Sequence, residues 1–399
     1  MSNTDKKSLS IILFVLVLII GITYGISFFA RGYQISTNGK IGFLATGIIS
    51  ATSKPKGASV YINDRLITAT DDTINLTPDE YTIKIIKDGY LPWQKKIQIK
   101  KEIVYQTDTQ LFRSAPDLKP ITLTGAINPA VSPDGSRVVF SVASASATKD
   151  NGLYLLELSD SPVFLAKNLA KQLSSNLQNL DWAKFIFTFS PNSRQILAKN
   201  TSNNTNYLIN LDSNTDYKNL FDATARLSLI KEEWNLQEQQ IIKSKIERIP
   251  VEIQSFISTS SAKNIVFNTD ETKFLYLSQK DGNLKKDLIS PPPAQSTQNQ
   301  SRDIKKDNYY VYDLKDDTNF LIGSKDFYNL NWLANSNNLT YIEDQKIQTV
   351  EYDNTNKQTL FAGNFNKDAV YTWLDGNKII TLTAPYNNAQ ENLYSISIR

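Results

Sequence analysis

An all-β fold carried behind one apolar helix is what this sequence predicts, on three observations. From Leu9 to Ala30 no side chain is charged. From 46 to 114, apolar and polar residues alternate in short runs parted by turn residues, the pattern of strands with one wet face. From 117 to 399 a strand, tight turn, strand grammar recurs in five copies, and repeats of four short strands at roughly 40 residues each are the mark of propeller blades.

In chain order, 1–7 reads as a cytoplasmic head and 8–30 as a transmembrane helix. At about 1.5 Å per residue the apolar run reaches roughly 33 Å, enough to cross a hydrocarbon core of about 30 Å. A cleavable signal has an apolar region of only about 7 to 15 residues and small residues before its cut. Here bulky Phe28 and Phe29 precede Ala30, so the expectation is an uncleaved single-pass anchor. With no Cys in the chain, a lipoprotein anchor is ruled out. Lys6 and Lys7 ahead of the run, against Arg31 behind it, put the N-terminus in the cytoplasm and the bulk in the extracytoplasmic space. Gly21 and Gly25 have the spacing that lets two membrane helices approach, which raises an anchor-mediated homodimer.

Composition narrows the chemistry. The 43 basic and 40 acidic side chains leave a net charge of +3, without the basic excess that a nucleic-acid binder carries. His and Cys are both absent, which removes a Ser-His-Asp triad, a Cys nucleophile and an ordinary zinc site. Carboxylate pairs, Ser-Lys dyads and calcium or magnesium sites remain. No cofactor, metal or catalytic residue is assigned. Ser53 to Lys56 and Ser228 to Lys231 have dyad spacing, but the companion motifs of that chemistry are missing.

After a connector over 31–45, the segment 46–114 reads as a small β-sandwich. Strands are expected at Ala58–Ile62, Arg65–Ile67, Thr73–Leu76, Tyr81–Ile85 and Gln94–Lys100, with Asn63-Asp64 and Thr77-Pro78-Asp79 as turns. Pro55-Lys56-Gly57-Ala58, Val60-Tyr61-Ile62-Asn63, Leu76-Thr77-Pro78 and Lys87-Asp88-Gly89-Tyr90 ahead of Trp93 resemble the PEGA domain family. Lys56 stands where that family has Glu, and Asp79 where Gly is usual. The resemblance implies a non-catalytic attachment or spacer module of envelope proteins. Tyr90 and Trp93 are expected in the core rather than as stacking platforms for sugar.

From 117 to 399 the sequence reads as a β-propeller, five blades being favoured and six or seven left open by long insertions. The copies begin at Asn128–Ser141, with further strands at Asn151–Leu158 and Pro162–Ala166. They return at Phe187–Ala198, Ile265–Leu277, Leu330–Ile342 and Val370–Leu382. The last copy ends after its third strand, and Pro120–Thr124 is expected to supply the fourth, which hides two strand edges. The Ser132-Pro-Asp-Gly135 turn resembles WD-like repeats of the Tol-Pal periplasmic component and of the propeller half of prolyl oligopeptidase relatives. Asp134 is read as a turn residue, not a metal ligand. An amphipathic helical insertion is expected over 225–248, with Leu227, Ile230, Trp234, Ile241 and Ile242 on its apolar side, and a flexible loop over 280–307.

These features point to a membrane-anchored, surface-exposed, non-catalytic envelope protein whose propeller binds a protein or a cell-wall glycan. The alternatives are a carboxylate-dependent glycan hydrolase on a propeller scaffold and a purely structural scaffold.

Overall fold

The computed structural model describes residues 3–30, 33–36, 42–158, 170–176, 180–212, 215–217, 219–257, 261–290, 292–334, 337–384 and 390–399. Helix α1 runs Asn3–Ala30, so the expected head is already helical from Asn3 onward. Among the described residues, no helix is long and apolar enough to cross a membrane. The chain then divides into two compact units, one of Met1–Leu111 with Pro292–Gln298, the other of Phe112–Pro291 with Asn299–Arg399.

In the first unit, the expected connector carries a hairpin of Tyr33–Ser36 with Gly42–Ala45. A four-stranded antiparallel sheet follows in the spatial order Arg65–Ala69, Ser59–Ile62, Glu80–Ile86, Trp93–Gln98. The turn at Asn63-Asp64 has both residues at positive φ, 48° and 62°, the geometry that matches the strand twist of a two-residue hairpin. Gly47–Ala51 lies between Asp72–Leu76, antiparallel, and Val104–Gln106, parallel. Ile49, Val60, Ile83, Ile85, Trp93 and Ile97 fill the core beneath these sheets. Pro292–Gln298 belongs to this unit, where Gln298 Nε2 donates to Lys96 O at 2.6 Å.

In the second unit, the described residues form five successive antiparallel sheets in a propeller-like arrangement. The first comprises Ile127–Val131, Arg137–Val142, Gly152–Glu157 and Lys171–Ser175. Its last strand had been expected at Pro162–Ala166, which lies outside the described residues. The second comprises Phe185–Phe189, Gln195–Asn200 and Asn206–Asn210, and an isolated bridge from Tyr207 to Asp222 stands beyond it. The third comprises Ala262–Phe267, Lys273–Ser278, Asn308–Asp313 and Thr318–Ser324. Tyr328–Trp332, Asn338–Glu343, Lys346–Glu351 and Gln358–Ala362 make the fourth. The fifth has Val370–Thr372, Lys378–Thr383 and Asn392–Ser397, completed by Asp117–Pro120 from ahead of the first sheet.

That completing strand sits three residues earlier than the expected Pro120–Thr124. Pro120 has no N–H to extend the ladder and ends it, after which Ile121 N donates once more to Leu393 O at 2.7 Å. The strand brings the fifth sheet against the first, and Val138, Phe140, Trp373, Ile380 and Leu393 share one core between them.

The helical insertion is longer than expected and less packed. Helix α2 runs Leu227–Ile246, and Pro250 leads into α3, Val251–Phe256. Only Ile230 is buried along α2, while Leu229, Leu236 and Ile241 are exposed and Trp234 is half-buried. The burial comes afterwards, where Ile249, Ile253 and Ile257 join the core of the third sheet.

The segment 280–307, expected as a flexible loop, is tied at its base. Gly282–Asn283 pairs with Asp303–Ile304, and Leu284 and Ile304 are buried in the same core. Arg302 forms an ion pair at 3.3 Å with Asp317, whose side chain is 3% exposed, and Tyr312 OH donates to the same carboxylate. Buried charges survive only when paired and hydrogen-bonded, so this cluster fixes the insertion to the third sheet.

The tight turns repeat one device. Asp134 Oδ1 accepts from Ser132 Oγ at 2.6 Å and Ser136 N at 3.0 Å. At the matching positions Asn192 accepts from Arg194 N at 3.2 Å, Asp270 from Thr272 N at 3.1 Å and Asp375 from Asn377 N at 2.7 Å. Each side-chain oxygen caps the backbone two residues on, an Asx turn. Burial pushes the Asp134 carboxyl up, and hydrogen bonds from Ser132, Ser136 and Ser193 outweigh it and hold the group below its ordinary range. Asp270 is lowered in the same way, burial opposed by Thr272 and the nearby Lys273 and Lys315.

Two expected outcomes follow from this packing. Arg302→Ala leaves Asp317 buried without its cation and lowers the unfolding free energy of the full chain by about 3 kcal/mol in urea titration, whereas Lys56→Ala, which removes an exposed pair with Asp71, leaves it unchanged. Because the folded carboxyls of Asp134 and Asp270 are lowered, their contribution is complete above the unfolded value of about 3.9 and is lost as pH falls through the folded value. Asp134→Asn, which keeps the accepting oxygen as Asn192 does, therefore preserves the melting temperature at pH 7 and reduces its loss between about pH 4 and pH 2.

Candidate functional site

The inner strand of each sheet has one edge paired and the other turned to the middle of the unit. Ile127–Val131, Phe185–Phe189, Ala262–Phe267, Tyr328–Trp332 and Val370–Thr372 all contribute to one cavity of about 560 Å³. Strand alternation sorts the side chains. Phe187 and Phe189 are buried in the core between the first and second sheets, while Thr188 between them is exposed to the cavity. Val266, 37% exposed, and Asn331 also face it.

Side chains tie these inner strands to one another. Trp332 Nε1 donates to Val266 O at 2.8 Å and Tyr371 OH to Pro129 O at 2.7 Å. Burial pushes the Tyr371 phenol well above its ordinary value, with Asp368 adding to the shift, so it stays a donor. Asn128 Nδ2 donates to Phe185 O and Asn329 Nδ2 to Val370 O, both at 2.9 Å. Asn128 and Asn329 have φ of 50° and 54°, each at a register shift of its strand. Asn264, φ 50°, occupies the same place in the third sheet and donates to Tyr309 OH. Asn tolerates the left-handed region, and the bulge aims the amides of Asn128 and Asn329 at the neighbouring sheet, that of Asn264 at its own. The sequence does carry a signal for this: each Asn stands four residues before the turn positions Ser132, Asn268 and Leu333.

Among the described residues, the cavity lining contains no Asp, Glu, Lys or Arg. It offers apolar surface, hydroxyls and carboxamides, and so suits an occupant without net charge, since an unpaired charge there would lose its hydration for nothing.

A second cavity, of about 300 Å³, lies where the inner strands of the first, second and fifth sheets begin, and Phe187 lines both. Its wall is about evenly polar and apolar, with Ile127, Ile186, Phe187 and Leu382 among the lining residues. Asp368 and Glu391 add two carboxylates. Tyr328 OH donates to Asp368 Oδ1, and among the described residues neither carboxylate takes part in an ion pair. Sequence alone could not single out these two acids from 40, because they stand 23 positions apart, each just ahead of a different strand.

Residues singled out from sequence fall elsewhere. Trp93 is buried in the first unit's core. Ser53 Oγ is engaged with Pro55 O and Thr70, and Lys56 with Asp71, so they make no dyad. Ser228 is exposed on α2. Asp134 is spent on its own turn, and among the described residues no group of three or more His, Cys, Asp or Glu could hold a metal ion.

No curated protein matches the chain. Among solved structures it is similar to TolB from Acinetobacter baumannii, at 12% identity over 86% of this chain and 64% of that one, with a TM-score of 0.23. The chain thus spans just under two thirds of TolB's length. It is also similar to KlHsv2 with loop 6CD replaced by a Gly-Ser linker, at 9% identity over 68% and 97% of the two chains and a TM-score of 0.27. Pyrococcus horikoshii acylaminoacyl peptidase is a third, at 10% identity over 69% and 39%, with a TM-score of 0.21. Likeness at such TM-scores decides nothing about fold or function. Residues 46–114 match the PEGA domain family model, which agrees with the resemblance carried by Pro55-Lys56-Gly57-Ala58 and the strands that follow it.

Proposed function

We propose that this chain is a membrane-anchored, non-catalytic envelope protein whose ring of sheets binds a protein or glycan partner on the outer side of the membrane. The observation that carries the binding role is the uncharged cavity shared by all five inner strands, with Thr188, Val266 and Asn331 facing it. A rigid scaffold that keeps a concave, mostly apolar site with a few polar groups is the usual form of a recognition site. Among the described residues, its lining includes no carboxylate to serve as acid or base for glycan hydrolysis. The PEGA match over 46–114 supports an attachment module.

Anchoring rests on the uncharged run Leu9–Ala30 and on side chains at 12–27 that leave their apolar surface exposed. At both Gly21 and Gly25 a Cβ would meet open space, so that face of α1 can receive a second copy, as the anchor-mediated homodimer requires.

A photo-crosslinking residue in place of Asn331, irradiated in intact cells, tests the binding role. The expected product joins the chain to an envelope protein or wall glycan, and Val266→Arg abolishes it without lowering the melting temperature. Absence of a product, or one indifferent to Val266→Arg, contradicts the reading.

A further inference from the structure

We propose that the 300 Å³ groove at the start of the inner strands is the docking site for a polypeptide segment that presents an arginine or lysine flanked by apolar residues. This rests on the binding role above and narrows the partner to a protein.

The groove combines apolar side chains with its two carboxylates. Ile186 is 43% exposed, a β-branched side chain left partly in water, and Tyr328, 45% exposed, stands beside Asp368. Ile127 and Leu382 continue the wall. Such a wall gains by covering the methylene stem of a long cationic side chain, which buries its stem while its head seeks charge.

Charge complementarity identifies the head. Asp368 and Glu391 line the groove, and among the described residues no lysine or arginine neutralises either. Asn128 gives its amide to Phe185 O, and Tyr328 gives its hydroxyl to Asp368. Asn366 Oδ1 accepts from Asp368 N at 3.0 Å, which holds that carboxylate's backbone in place. A guanidinium carries five donors and an ammonium three, each with a positive charge and no acceptor, so both suit the two carboxylates, which repel an acidic segment. Phe187 continues the wall into the uncharged central cavity, which then receives the uncharged residues beside the cation.

The test uses the full chain in detergent and the capped peptide Gly-Ala-Val-Arg-Val-Ala-Gly, with companions carrying citrulline or glutamate in place of arginine. The arginine peptide is expected to bind at least tenfold more tightly than either companion, and more weakly as salt is added. Asp368→Asn with Glu391→Gln, which keeps the oxygen that Tyr328 bonds, is expected to remove that preference while the melting temperature holds. Equal binding of the arginine and citrulline peptides, no binding of any peptide, or a preference that survives the double substitution overturns the proposal. A neutral oligosaccharide that competes at this groove overturns it as well. If the Asn331 crosslink persists through such a failure, the binding role stands and only the basic-peptide assignment falls.

Discussion

The pairing of Asp117–Pro120 with Asn392–Ser397 is the constraint on which the second unit depends. Without it the fifth sheet would end in an unpaired strand, an edge open to any other chain. With it, residues ahead of the first sheet are bound to the last, and the two sheets share the core of Val138, Phe140, Trp373 and Ile380. Full burial of side chains of this size contributes about 1.5 to 3 kcal/mol each. The bond from Tyr371 to Pro129 O crosses the same seam. So does the groove holding Asp368 and Glu391, whose wall takes Ile127 from the first sheet and Leu382 from the fifth. Strand completion, core and groove are thus one structural fact at three levels.

Around the central cavity, rigidity comes from side chains bonded to the backbone of a neighbouring sheet. Asn128 and Asn329 do this from a left-handed conformation that would cost other residues about 1 kcal/mol or more. The local strain is offset by satisfying a carbonyl that lies on the cavity side of an edge strand and has no ladder partner there. Function and stability meet at this point, because the bonds that aim the inner strands also shape the surface a ligand would meet.

Much of this architecture is legible in the sequence, for physical reasons. Turn chemistry and short apolar runs locate the strands at Val138–Phe140, Phe274–Tyr276 and Ile379–Leu382, which are buried on both faces, and period-two alternation locates Phe187–Phe189. The completing strand is legible too, displaced by three residues because Pro120 ends the ladder rather than beginning it. The parallel partner of Gly47–Ala51 is not legible, because Val104–Gln106 is held by a contact far along the chain. Polar composition over 280–307 hid an ordered base, since the Arg302–Asp317 pair is formed by residues that look like solvent-facing charges. Helix α2 misled in the opposite sense: its apolar positions suggested a packed face, and only Ile230 is buried. Of the proposed groove, the absence of His and Cys left carboxylates among the groups to consider, and the placement of Asp368 and Glu391 in one cavity needed the fold.

Native-state hydrogen exchange at the amide of Ile121 tests the central claim most directly, because its bond to Leu393 O forms only if the borrowed strand is in place. The account predicts protection equal to that of the central strand Arg137–Val142, lost in one cooperative unfolding step. Exchange at the rate of a free strand edge, while Arg137–Val142 stays protected, would contradict it.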